Sequence, residues 1–193
     1  MMKKAGRAGR LRRWGVPCLV LAALCGALAV GLLWQDGAFL ARWQQKTEPW
    51  DLDGDGRTET LFLERRSFSV LSGGQTLWKT DKDWKVEDYL CGDIDGDGAE
   101  ELLLLVWKRG SYGPLRPFWV DDDENGYSQH IFIYRWVDEG PQAVWMSSSL
   151  RPQVRRWSLG EGKLSILTRQ GEETLWAWRT WGLERIDSAR TAI

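Results

Sequence analysis

From residue 60 onward the chain alternates short apolar runs with turn residues, at a spacing too tight for helices. The runs fall at 60–65, 67–71, 76–79, 87–90, 102–107, 130–137, 143–147, 154–158, 163–169 and 174–181. Most are rich in leucine, β-branched or aromatic residues and are bounded by glycine, proline or polar clusters, which is the pattern of strands rather than of a 3.6-residue period. Residues 102–106 are apolar at every position, so this strand is predicted to be buried on both faces. In the run at 130–137, Phe132, Tyr134 and Trp136 share one face while Ile131 and Ile133 share the other. Turn chemistry agrees, because Ser72-Gly73-Gly74, Asn125-Gly126 and Leu159-Gly160-Glu161-Gly162 each stand between two runs.

The N-terminal 35 residues follow another pattern. Six cations (Lys3, Lys4, Arg7, Arg10, Arg12, Arg13) and no acid precede an uncharged stretch at 14–35. As a helix those residues would extend about 33 Å, enough for a bilayer core. Trp14 and Trp34 lie at its ends, where interfacial indoles are favoured. The basic flank predicts a cytoplasmic segment 1–13, a transmembrane signal anchor 14–35, a tether 36–47 and an extracytoplasmic domain 48–193. A cleaved signal peptide is the alternative, since Ala27-Leu28-Ala29 offers a cleavage site ahead of Val30. The apolar run is long for a signal peptide, which favours the anchor. A lipoprotein fits less well, because Cys25 follows Leu24 where a small residue is wanted.

Two acidic, glycine-punctuated segments interrupt the β pattern. Asp51-Leu-Asp-Gly-Asp-Gly-Arg-Thr-Glu59 runs into Leu61-Phe-Leu63, and Asp93-Ile-Asp-Gly-Asp-Gly-Ala-Glu-Glu101 runs into residues 102–106, 42 residues further on. Carboxylates at alternate positions, Asp51, Asp53 and Asp55 or Asp93, Asp95 and Asp97, can curl around one hard cation, and such oxygen-only sets suit calcium. Gly56 and Gly98 can take the positive φ that turns the carbonyls of Arg57 and Ala99 inward. Glu59 and Glu101 would close the shell. An EF-hand shares the first six positions but has a chelating acid at position twelve and a following helix. Here position twelve is Phe62 or Leu104, so the chain leaves each loop as a strand.

The pattern D-x-D-G-D-G-x-x-E followed by an apolar strand resembles the FG-GAP / VCBS repeat family, found in integrin α-subunit propellers and many bacterial surface proteins. The resemblance covers two stretches of about ten residues and lacks a clear Phe-Gly…Gly-Ala-Pro signature. It implies calcium-ligand roles for Asp51, Asp53, Asp55, Glu59, Asp93, Asp95, Asp97 and Glu101, in loops between the strands of a propeller blade. A third loop at 121–129 keeps oxygen side chains at positions one, three and five and glycine at six, but ends in Gln129; a solvated Asn-Gly hairpin is the competing reading.

About ten strands in roughly 150 residues, with a repeat near 42, predict an all-β fold: a small propeller-like or β-sandwich domain of about three to four antiparallel blade-like units. Setting aside the six N-terminal cations leaves 20 basic and 27 acidic residues, a balance that argues against nucleic acid as partner. Cys91 is the only cysteine outside the N-terminal segment, so the β domain is predicted to be held by metal rather than by disulfides. His130 is the sole histidine and lies in no recognisable nucleophile or zinc pattern.

Fourteen tryptophans are the other compositional outlier. Trp78, Trp107, Trp136 and Trp145 lie within apolar runs and read as core, whereas Trp176 and Trp178 share one strand face and are candidates for a ligand platform. The segment 108–119 joins Lys108, Arg109 and Arg116 to Tyr112, Phe118 and Trp119, and is a candidate partner-binding loop for a cell-envelope protein or glycan; a plain connector is the bland reading. These residues together predict a membrane-anchored calcium-binding module with a binding or scaffolding role. A secreted calcium-dependent hydrolase acting on cell-surface polysaccharide is the alternative.

Overall fold

The computed structural model describes residues 11–35, 44–110, 126–138 and 140–187. The chain divides into two compact units, 1–40 and 41–193. The first contains one helix, α1 (Leu11–Gln35). Side chains of α1 are described over residues 18–34, and all of them are exposed. Among the described residues no helix is long and apolar enough to cross a membrane.

The second unit is all-β. Its strands are β1 (Lys46–Trp50), β2 (Glu59–Glu64), β3 (Ser67–Ser72), β4 (Gln75–Lys79), β5 (Lys85–Gly92), β6 (Glu101–Arg109), β7 (Tyr127–Val137), β8 (Gly140–Met146), β9 (Val154–Gly160), β10 (Lys163–Thr168), β11 (Glu173–Arg179) and β12 (Gly182–Arg185). They form three four-stranded antiparallel sheets, β1 to β4, β5 to β8 and β9 to β12, each with its strands side by side in chain order. Such meanders need only local connections. Gly73-Gly74 and Glu161-Gly162 make two of them, each with both residues at positive φ, which matches the twist of the strands they join.

The middle sheet carries a core on each face. Leu102, Leu104, Val106, Phe132, Tyr134 and Trp136 meet Leu61, Leu63, Phe68 and Val70 of the first sheet. Leu103, Leu105, Ile131 and Ile133 point the other way, onto Val154, Trp157, Leu164 and Ile166 of the third. β6, apolar throughout its middle, and the two-faced β7 are thus the strands of an inner layer, as their sequences predict. Trp107 and Trp136 are buried, while Trp78 and Trp145 pack against the first and second core respectively.

Two edge strands differ from expectation. β1 begins at Lys46, inside the segment predicted as tether and ahead of the boundary at 48; the run predicted at 174–181 ends as β11 at Arg179, and β12 (Gly182–Arg185) follows it as a strand outside the predicted runs. Both lie at sheet edges, where a strand can be short and polar, so neither shows a strong apolar pattern.

Polar groups also tie the layers. In β5 the register slips between Val86 and Asp88, and the extra residue is Glu87. This bulge turns the Glu87 side chain into the interior, where its Oε2 accepts bonds from Trp107 Nε1 at 2.6 Å and Gln129 Nε2 at 2.9 Å. Gln129 bonds in turn to both the N–H and the carbonyl of Val154 at the start of the third sheet. Trp157 Nε1 donates to Asp88 Oδ2 at 2.9 Å, a second link between the middle and third sheets.

Candidate metal centres

The two acidic segments occupy equivalent corners, joining the first strand to the second in the first two sheets. In the third sheet that corner is the two-residue turn Glu161-Gly162. Each loop is pinned by its second residue, because Leu52 is buried in the first core and Ile94 in the second. That pin brings the ninth-position acid back beneath the loop: Glu59 Oε2 accepts the Leu52 N–H and Glu101 Oε2 the Ile94 N–H, both at 3.2 Å.

The internal hydrogen bonds repeat position for position. Asp51 accepts from the N–H groups of Gly54 (2.8 Å) and Gly56 (3.0 Å), and Asp93 from those of Gly96 (2.6 Å) and Gly98 (3.0 Å). Asp53 accepts from Asp55 N–H and Asp95 from Asp97 N–H; Asp55 accepts from Arg57 N–H and Asp97 from Ala99 N–H. Gly56 and Gly98 sit at φ 86° and 90°, the conformation predicted for them. A side chain there would meet no neighbour within 4 Å, so the backbone conformation, not space, calls for glycine.

This curl gathers one carboxylate oxygen each from Asp51, Asp53 and Glu59 within 4.8 Å of one another, and likewise from Asp93, Asp95 and Glu101. Either group could hold a metal ion. Asp55 and Asp97 stand outside those triplets among the side-chain donors, each turned to a backbone N–H two residues on. The donors are all hard oxygens and the ninth-position acids are almost wholly buried, Glu59 at 6 % exposure and Glu101 at 0 %. Three carboxylates so placed repel one another unless a cation lies among them. The donor chemistry fits an alkaline-earth ion better than zinc or copper.

One residue of the second centre escaped the sequence reasoning. Arg135 of β7 pairs across the sheet with Glu101. Its Nη2 lies 2.9 Å from Asp95 Oδ2, 2.8 Å from Asp97 Oδ2 and 2.6 Å from Glu101 Oε1. The Ala99 N–H, together with this guanidinium, holds the Asp97 carboxyl below its usual range. At Glu101 burial wins and pushes the carboxyl up, against the pull of Arg135 and the Ile94 N–H. A signal for Arg135 was present, since it is the one charged residue in the run 130–137. The loops are also neighbours: Trp50, just ahead of the first, donates its Nε1 to Glu100 of the second at 2.5 Å.

The other predicted positions divide. Asp121 to Asn125, and with them Tyr112, Arg116 and Trp119, lie outside the described residues. Gln129, the last position of the third candidate loop, is fully buried in the Glu87 network. Arg109 lies over the Tyr127 ring at 4.7 Å. Trp176 and Trp178 are half-buried against the second core, and Trp176 Nε1 donates to Thr174; the exposed indole of that hairpin is Trp181, at 81 %.

No family model matches this chain, and no curated protein matches it either.

Proposed function

We propose that the chain is a membrane-anchored, extracytoplasmic β-repeat module of FG-GAP / VCBS type, in which calcium is a structural ion and the β domain serves binding or scaffolding. The observation that carries this reading is the repetition of one loop, bond for bond, at the same corner of two four-stranded meanders, with its carboxylates converging. A meander of four antiparallel strands is the unit of a propeller blade, and here three stand in succession. The anchor is supported by the uncharged run 14–35 and by the exposure of Leu19, Leu21, Leu24 and Leu28 on α1, an apolar surface that water disfavours. On this reading the partner is a cell-envelope protein or glycan, reached from the loop that begins beside Arg109.

Thermal unfolding of the full-length chain in detergent, in calcium and in chelator, tests the metal. An ion present at about 100 times its dissociation constant adds roughly 2.7 kcal/mol per site to the folded state. For a domain of this size that corresponds to a rise of about 5–10 °C in Tm. Asp53→Ala combined with Asp95→Ala should abolish the rise. Identical melts of the wild-type chain in calcium and chelator would remove calcium from the account.

A further inference from the structure

The two loops match in every internal hydrogen bond but not in what faces them. Arg135 stands opposite Glu101 on the neighbouring strand, and one of its nitrogens touches three carboxylates of the second loop at 2.6–2.9 Å. In the first sheet the pairing of β2 with β3 ends at Thr60 and Leu71, and the next residues outward on the two strands are Glu59 and Ser72. A serine hydroxyl brings no charge. Among the described residues no cation pairs with Asp51, Asp53, Asp55 or Glu59.

We propose that the loops are unequal calcium sites: the Asp51 loop depends on the metal, whereas Arg135 serves the Asp93 loop as a resident cation that keeps it folded without calcium and weakens its calcium binding. This rests on the calcium reading given above. A guanidinium fixed by Glu101 through both Nε and Nη2 already offsets the repulsion among Asp95, Asp97 and Glu101. A divalent ion entering that loop must displace the side chain from oxygens it also needs, or bind beside a like charge. Either course reduces affinity. Among the described residues the first loop has no such substitute, so its carboxylates remain mutually repelling until calcium arrives. The device makes one corner of the domain permanent and the other responsive to calcium concentration.

Calorimetric titration of calcium chloride into the metal-free full-length chain, held in detergent, tests this. The wild-type chain should show two binding events separated by about tenfold or more in affinity, the weakening expected of a fixed like charge at the ligands. Asp53→Asn should remove the tighter event and Asp95→Asn the weaker. Arg135→Gln should tighten the weaker event about tenfold or more, and the reciprocal Ser72→Arg should weaken the tighter one by a similar factor. Should Arg135→Gln fail to fold, as judged by circular dichroism, Ser72→Arg and the two Asp→Asn variants still decide the matter. Two events of equal affinity, or an unmoved tight event in folded Ser72→Arg, overturn the inequality while leaving calcium binding intact. Absence of any binding in the wild-type chain overturns the calcium reading and this inference with it.

Discussion

Replacing Leu103 or Leu104 with alanine tests whether the middle sheet is buried on both faces. The two residues are adjacent on β6, each has 0 % exposure, and they belong to different cores. Truncating a buried leucine removes the transfer energy of the lost methyl groups and leaves a cavity that the packed surroundings fill only in part. The cost is about 2–5 kcal/mol. Since about 1 kcal/mol moves the Tm of a domain this size by roughly 2–4 °C, a mid-range loss near 3 kcal/mol predicts a fall of about 6–12 °C for each variant. Trp181→Ala, at a site 81 % exposed, is the control and should stay within about 0.5 kcal/mol of wild type. The assay is thermal unfolding of the full-length chain followed by tryptophan fluorescence, with calcium held constant. If one leucine variant melts like the Trp181 control while the other is destabilised, only one face of β6 is packed and the three-layer arrangement fails.

Two further predictions concern chemistry and location. Burial pushes the Cys91 thiol from its usual value near 9 up to about 12, with Glu100 and Glu48 adding to the shift and Lys46 opposing it. The folded state therefore favours the neutral thiol, and its contribution to stability is complete below pH 9 and lost as pH rises from 9 toward 12. At pH 8 alkylation of Cys91, followed by mass spectrometry so that Cys18 and Cys25 are read separately, should be slower than in urea by about two to three orders of magnitude. Equal rates in the two conditions would show an accessible thiolate. If residues 14–35 form an uncleaved anchor, the full-length chain should remain in the membrane pellet through high salt and alkaline carbonate. A mature N-terminus at Val30 would instead establish a cleaved signal peptide.

The sequence by itself determined what depends on neighbours along the chain. The curl of each acidic loop is set by glycines at positive φ and by aspartates that bond to backbone two, three or five residues ahead, so the motif could be read before any contact was known. The same holds for β6, whose five consecutive apolar residues require cover on both faces, and for the alternating faces of β7. Edge strands carry a weaker local signal. Lys46 to Trp50 holds two charges and a proline, and it is a strand because β2 supplies its partners, not because of its composition. Tertiary structure alone decided which sheet covers which face of β6. It also placed Glu87, through a bulge, against Trp107 and Gln129, partners 20 and 42 residues away. Arg135 is the clearest case, because its place among Asp95, Asp97 and Glu101 follows from the pairing of β6 with β7, 34 residues after Glu101 in the chain. Local dihedral preferences shape a loop from within, whereas the charge that faces it is fixed only when distant strands find their register.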